Sequence, residues 1–212
     1  MKKRIIAVLC IVALITVSLT ACSLFGGGKK TTINGVEVEE QQYHQNNTDC
    51  VFLIMTNKTE NDCDYEVSVN FLDNNGNTVD SVKDYTIYAV AKDTTIAQPF
   101  YSDKPYTSLN YIVVTKPLDF YRAVDGGLKT QFNTNGEKMD ISVTNDGNEA
   151  AQYVEYYILY YKGNELAGYD NGYCIDDNNE IKPGATVNSQ EQFDDPYDKA
   201  KIYIHGRSES KY

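Results

Sequence analysis

Apolar and polar residues alternate along most of the chain beyond its first 30 positions. Val, Ile, Thr, Tyr and Phe dominate these runs, and Asn, Asp and Gly interrupt them, as is typical of β-strands joined by turns. The clearest runs are CVFLIMTN from Cys50, YEVSVNFLD from Tyr65, MDISVTN from Met139 and AKIYIHG from Ala200. No stretch of this region has the period of an amphipathic helix. The pattern therefore predicts an all-β fold of short antiparallel strands.

The first 21 residues have a different pattern. A basic segment, Met1–Arg4, precedes an uncharged apolar run from Ile5 to Ala21, and these are the parts of a secretory signal peptide. A transmembrane helix is the alternative, because the 17 residues of this run lie at the lower limit of what spans a bilayer. We expect residues 1–21 to form a signal helix that is removed.

The end of this apolar run reads Leu19-Thr20-Ala21-Cys22. It resembles the lipobox of bacterial lipoproteins, which is an aliphatic residue, a small residue, Ala or Gly, and then Cys. The resemblance implies that Cys22 receives a diacylglyceryl group and that the chain is cut before it. Two acyl chains hold a protein to a membrane far more firmly than one does. We therefore expect a lipid anchor on the extracytoplasmic face of the cell membrane, followed by a flexible, Gly-rich tether over residues 22–30.

The chain is acidic, with a formal net charge of −11, and loss of the three basic residues in the signal would leave −14. This surface repels nucleic acid and anionic lipid head groups, so we expect neither as a partner. Attachment to the membrane must then depend on the lipid at Cys22.

The strand-rich region repeats itself. Thr56-Asn57 and Thr144-Asn145, 88 positions later, both end apolar runs. Three further landmarks follow in the same order at offsets near 90: FLDNNGNTV and ILYYKGNEL, AKDTTI and IKPGATV, DKPY and DDPY. We interpret residues 31–116 and 126–212 as two β-sandwich domains joined by a linker at 117–125, with antiparallel strands in each.

Two of these landmarks resemble a known family. VNFLDNNG from Val69 and YYILYYKG from Tyr156 are similar to the signature strand and turn of the FxLYD-type domain, although Tyr160 replaces the family's Asp in the second copy. The resemblance implies two tandem immunoglobulin-like antiparallel β-sandwiches of an extracytoplasmic lipoprotein. It implies no particular substrate.

Cysteines are few after the signal: Cys50, Cys63 and Cys174 remain besides Cys22. An odd number argues against a disulfide framework in an exported protein. Cys50 and Cys63 begin successive runs, so in neighbouring antiparallel strands they would lie at opposite ends, too far apart for a bridge. We expect all three to be small apolar core residues.

Neither a metal, a cofactor nor a catalytic group is indicated. Asp73-Asn74-Asn75-Gly76-Asn77 has oxygen ligands but not the spacing of a calcium loop, and a turn with a positive φ at Asn75, Gly76 or Asn77 is the preferred interpretation. Asp176–Glu180 and Asp194-Asp195 are better acidic clusters for a metal, but solvated turns are the preferred interpretation there too. With only two histidines, no catalytic set can be assembled, so we expect a protein that is not an enzyme.

Two tyrosines are the candidate binding residues. Aligning the copies places Val67, Val69 and Phe71 with Val154, Tyr156 and Ile158 in the cores. The alternate positions, Tyr153, Glu155 and Tyr157 in the second copy, then face outward, and tyrosine faces often bind proteins or sugars. The alternative is that Tyr153 and Tyr157 pack against the first domain or against a crossing loop. Tyr106 and Tyr197, each after a Pro, are expected to act as structural corners with bonded hydroxyl groups.

These patterns predict a membrane-anchored, non-enzymatic binding module that recognises a protein, a wall polymer or a glycan. A spacer or accessory subunit of a membrane complex, with no ligand of its own, is the alternative.

Overall fold

The computed structural model describes residues 30–45, 48–135, 137–174 and 179–209. The segment predicted to be a signal peptide, Cys22 and most of the predicted tether lie outside these residues, as do Asp176 to Asn178. Within the described ranges, no helical segment combines the length and apolar character needed to cross a lipid bilayer.

The fold is all-β, as the alternation predicts, and every strand pairing described is antiparallel. The strands are β1 (Lys30–Ile33), β2 (Val36–Gln45), β3 (Thr48–Asn57), β4 (Cys63–Leu72), β5 (Thr78–Val90), β6 (Thr95–Tyr101), β7 (Ser108–Lys116), β8 (Tyr121–Ala123), β9 (Leu128–Asn135), β10 (Lys138–Asn145), β11 (Ala151–Lys162), β12 (Glu165–Tyr173), β13 (Glu180–Ile181), β14 (Thr186–Gln192) and β15 (Lys199–Glu209). A short 3-10 helix, η1 (Asp125–Gly127), lies between β8 and β9.

The first seven strands form two sheets with the orders β1-β2-β3-β6 and β5-β4-β7. Alternate residues of β4 point into the space between the sheets, and the predicted core residues Val67, Val69 and Phe71 are fully buried there. They belong to a cluster that also contains Val51, from the facing sheet, and Val113, from β7. Burial of these apolar side chains is the main stabilising contribution to this sandwich-like arrangement.

The later strands repeat this architecture. One sheet has the order β14-β10-β9, and the other has the order β12-β11-β15-β8, with β13 paired to the start of β11. The predicted core residues Val154, Tyr156 and Ile158 are 0%, 2% and 0% exposed. The triplets β2-β3-β6 and β9-β10-β14 therefore correspond, as do β5-β4-β7 and β12-β11-β15.

The outer faces of two non-equivalent sheets pack against each other. Phe52 and Ile54 on β3 contribute to one buried cluster with Leu159 and Tyr161 on β11. This contact covers the half of the β11 face that lies nearest the β11–β12 hairpin.

Two sequence-based details change. β3 and β4 lie in different sheets, so the placement of Cys50 and Cys63 on neighbouring strands was wrong. Both thiols, and that of Cys174, are nevertheless free and buried, as expected. The segment 117–125, predicted to be a linker, contains β8, which pairs with the end of β15 from Arg207 to Glu209.

The turns follow their sequences. Gly76 has a φ of 80°, and the Asp73 side chain accepts hydrogen bonds from the backbone N–H groups of Asn75 and Asn77 at 2.8 Å. The predicted turn is confirmed, and its carboxylate is occupied by the backbone. The corner expected at Tyr106 is wrong in one respect: its ring packs against Phe71, but its buried hydroxyl has no hydrogen-bond partner among the described residues.

Candidate functional site

The outer face of β11 is covered by the first half at one end of the strand and exposed at the other. Tyr157, one of the two candidate binding residues, is partly buried against Phe52 of β3, with ring centroids 5.8 Å apart. Burial first, and then the charge of Glu155, raise the pKa of Tyr157. For this residue the structure shows the alternative considered from sequence, which was packing against the first half of the chain.

Tyr153, the other candidate, lies beyond this covered region and is 41% exposed. It sits at an irregularity in the β11–β15 pairing, between Gln152 and Glu155, and has a φ of 50°. A non-glycine residue seldom adopts this left-handed conformation. The bulge re-aims the Tyr153 side chain, which the regular alternation used for the prediction does not anticipate.

Three tyrosine rings surround the guanidinium of Arg207 on β15. The guanidinium carbon lies 4.7 Å from the ring centroid of Tyr153, 4.8 Å from that of Tyr121 and 5.8 Å from that of Tyr88. These distances favour cation–π attraction. Because Tyr88 belongs to β5, Tyr121 to β8 and Tyr153 to β11, Arg207 connects the first half, the intervening segment and the second half.

Arg207 has no other described partner. Its Nε is buried without a hydrogen bond, and it forms none of the ion pairs within the described residues. Glu209, two residues along the same strand, instead accepts a hydrogen bond of 3.3 Å from the Tyr153 hydroxyl. The guanidinium of Arg207 therefore has no hydrogen-bond acceptor among the described residues.

Glu155 lies two residues after Tyr153 on β11. It lies directly opposite Tyr173 of β12 on one side and His205 of β15 on the other. Directly opposed residues of an antiparallel pair have Cβ atoms about 5 Å apart and share a face. Tyr173 is 60% exposed, whereas His205 is buried.

Tyr85 of the first half lies near Glu155. It lies on β5, is 42% exposed and packs edge-on against Phe100 at 5.6 Å. Burial and then the charge of Glu155 raise the pKa of Tyr85, which Arg207 lowers in part. Tyr85 is thus close enough to both charges to respond to them.

We define the junction face as Tyr85, Tyr153, Glu155, Tyr173 and Arg207. It begins where the β11 face emerges from beneath the first half. Its three exposed tyrosines present aromatic surface, and one carboxylate and one guanidinium of opposite charge lie among them. This arrangement suits the binding of a ligand that has both apolar and hydrogen-bonding groups.

A buried ion pair lies behind the junction face. His205 Nδ1 is 3.0 Å from Asp125 Oδ2, and Asp125 Oδ1 accepts a hydrogen bond from the Gly206 N–H at 2.7 Å. Burial disfavours a charged imidazole, but the charge of Asp125 and its hydrogen bond outweigh burial and raise the pKa of His205. His205 Nε2 is buried and has no partner among the described atoms.

The acidic pair Asp194-Asp195 lies on a different kind of surface. Asp194 and Asp195 line an open depression with Glu137, Phe193 and Tyr197. Asp194 accepts a hydrogen bond from the Gln192 side chain at 2.8 Å. No group of three or more metal-ligating side chains is assembled anywhere in the described part of the chain.

Sequence reasoning identified Tyr153 and missed Tyr85, Tyr173 and Arg207. Tyr173 and Arg207 are brought together by the order β12-β11-β15 in one sheet, and the packing of one half on the other adds Tyr85. The outward position of Glu155 was predicted, but its neighbours across the sheet depend on strand order, which alternation does not reveal.

Comparison with models of known protein families finds no match, and comparison with curated proteins finds none either. Among solved structures, the chain is similar to red sea bream transglutaminase, with 10% identity and a TM-score of 0.28. The alignment covers 82% of this chain and 29% of that protein, so the chain spans less than a third of its length. A likeness this weak supports no conclusion about fold or activity.

Proposed function

We propose that the protein is a bacterial lipoprotein whose two tandem immunoglobulin-like sandwiches bind a ligand outside the cell membrane. The lipid on Cys22 is the anchor, and the junction face is the binding surface. The protein has no catalytic role and needs no cofactor. Its partner is a protein, a wall polymer or a glycan.

The anchor is supported by the sequence Leu19-Thr20-Ala21-Cys22 at the end of an apolar run. A net charge of −11 gives the protein no electrostatic means of holding to an anionic membrane, so a lipid is the physically adequate anchor. The equivalent strand orders β5-β4-β7 and β12-β11-β15 support the tandem arrangement.

One observation carries the binding proposal: tyrosines from both halves are exposed at one place, around two charged groups that form no ion pair there. Tyr85, Tyr153 and Tyr173 are 42%, 41% and 60% exposed. Large aromatic side chains are costly to leave in water, and tyrosine is enriched where proteins bind other molecules.

A spacer is the second candidate. The buried contact between Phe52 and the β11 residues Tyr157 and Leu159 would hold the two halves as one stiff body, which is what a spacer requires. A spacer needs no exposed aromatic surface, so the junction face favours the binding function.

The experiment is a pull-down from envelope extract with the full chain, purified in detergent through a C-terminal tag. Tyr153→Ser with Tyr173→Ser removes two of the three exposed rings of the junction face, those from the second half. Phe132→Ser is the matched control, because Phe132 is 48% exposed but lies on β9, in the opposite sheet of the second half.

We expect the double variant to lose the captured partner while the control retains it. Equal capture of the partner by the natural chain, the double variant and Phe132→Ser would show that the junction face is not the binding surface. Cys22→Ser should release the protein from membranes without loss of the partner, whereas a spacer would lose its function. An intact mass that begins at unmodified Met1 would refute the anchor.

A further inference from the structure

The junction face contains a carboxylate with no partner. Glu155 is half-buried, yet it forms neither an ion pair nor a hydrogen bond with any residue in the described ranges. Other acidic residues of comparable exposure are paired, as Glu149 is with Arg122 at 2.5 Å. An ionised carboxylate accepts several hydrogen bonds, so Glu155 has unused capacity.

Unmatched donors lie on the same face. Arg207 forms no hydrogen bond with a described residue, although its guanidinium is fixed among the rings of Tyr88, Tyr121 and Tyr153. Arg207 and Glu155 both influence the pKa of Tyr85 and of His205, so both lie near these two side chains. They provide a donor and an acceptor on one face.

A third unmatched group lies beside Glu155. His205 is 6% exposed, and its Nε2 has no partner while its Nδ1 is held by Asp125. A buried polar atom without a partner is costly, and a water held beneath a ligand would relieve that cost. A water serves Nε2 in either protonation state, because it both donates and accepts.

Charge restricts the ligand further. Glu155 and Arg207 offset one another, and a second carboxylate, Glu209, lies against the Tyr153 hydroxyl, so the face disfavours an anion. The overall charge of −11 disfavours polyanions. The matching ligand is uncharged, rich in hydroxyl groups, and has an apolar side that can lie on tyrosine rings.

We propose that the junction face binds an uncharged pyranose unit of a polysaccharide. The C–H side of the sugar stacks on the exposed ring of Tyr173 or Tyr85, its hydroxyl groups donate to Glu155, and they accept from Arg207. Tyr85 from the first half and Tyr173 from the second flank the sugar. This inference rests on the proposed binding function and specifies its ligand.

The test is calorimetric titration of the full chain in detergent with three trisaccharides. Chitotriose and cellotriose are uncharged, and trigalacturonic acid is the anionic counterpart. We expect an uncharged trisaccharide to bind and the anionic one to bind at least about tenfold more weakly. Preference for the anionic sugar would overturn the proposal.

Two variants test the residues. Glu155→Gln should weaken binding about fivefold and Tyr173→Ala about tenfold, because they remove a charged acceptor and a stacking surface. Glu165→Gln is the matched control, since Glu165 is an exposed carboxylate at the start of β12 and its removal changes the net charge equally. Equal affinity of Glu155→Gln and Glu165→Gln would overturn the assigned role.

The outcomes separate the two proposals. If no uncharged sugar binds, but a protein partner is captured and lost with Tyr153→Ser and Tyr173→Ser, the sugar inference fails and the binding function stands. If the junction face captures no protein partner and binds no sugar, both the sugar inference and the proposed binding function fail.

Discussion

Asn57 and Asn145 share three side-chain hydrogen bonds in the two halves of the chain, and Asn57 accepts a fourth from the Thr59 hydroxyl at 2.7 Å. The Asn57 side-chain amide donates to the Asn61 carbonyl at 3.0 Å and to the Val90 carbonyl at 3.1 Å. Asn145 donates to the corresponding carbonyls, of Glu149 at 2.7 Å and of Ile181 at 2.8 Å. Each Oδ1 accepts from the N–H two residues later, that of Thr59 or of Gly147. Each amide therefore fixes the end of its strand to two later segments.

Asn57→Ala and Asn145→Ala should each lower the free energy of unfolding by about 2–4 kcal/mol, because two carbonyls and one N–H lose a buried partner. Urea unfolding at neutral pH measures this. Asn70→Ala is the control, because its amide bonds to the half-buried Asn110 side chain at 2.9 Å, and it should cost less than about 1 kcal/mol. Losses no larger than that of the control would contradict the role assigned to both residues.

The His205–Asp125 pair should make stability depend on pH. The folded state raises the pKa of His205, so it binds a proton more tightly than the unfolded chain, whose His pKa is about 6.5. The stabilising contribution is therefore complete below about pH 6.5 and is lost as the pH rises through the higher folded value.

His205→Asn provides the reference for this prediction, because it cannot carry a charge. The difference in unfolding free energy between the natural chain and His205→Asn, measured by urea titration from about pH 5.5 to 9, should shrink as the pH rises. Glu155 also favours the charged imidazole and Arg207 opposes it, so both groups remain unchanged in the comparison. A difference that grows with pH would reverse the sign and reject the assignment.

Gly172 on β12 lies directly against Tyr156. A Cβ atom at this position would overlap the Tyr156 hydroxyl and ring. The Tyr156 hydroxyl is also held by Glu191 and by Ser189, so the ring has little freedom to move. Gly172→Ala should cost about 1–3 kcal/mol, or several degrees in Tm. Gly126→Ala, where a Cβ meets open space, should leave Tm within about two degrees in the same scan.

The core thiols should not react in the folded protein. Burial raises the pKa of Cys50 to about 12 and that of Cys174 to about 11, so almost no thiolate is present at neutral pH. In a chain carrying Cys10→Ser and Cys22→Ser, a maleimide should label no cysteine until denaturant is added, and then three. Rapid labelling in buffer would show that the core is open.

Much of the fold was predictable because alternation has a period of two wherever one side of a strand is buried. Val67 and Val154 were placed in the cores from this pattern alone, and both are fully buried. Thr56-Asn57 and Thr144-Asn145 also marked equivalent strand ends correctly. Strand order was not predictable, since alternation shows which side is buried but not which strand is the neighbour.

The candidate site was less predictable for the same reason. The pattern places Tyr157 on the outward side of β11 and does not show that Phe52 covers it. Tyr153 is exposed through a bulge at a positive φ, which its sequence does not signal. Arg207 appears as an ordinary strand residue until Tyr88 and Tyr121 are brought to it.

The packing of β3 on β11 joins sheets that are not equivalent in the two halves. A head-to-tail contact of this kind uses two different surfaces, so identical units could each add another unit. Repeated without closure, the contact would produce a filament. The position equivalent to Tyr157 in the first half is Asn70, whose polar side chain bonds to Asn110. Asn70 and Asn110 put a polar pair where the second half has an aromatic ring, so this face of the first half cannot make the contact that the equivalent face of the second half makes.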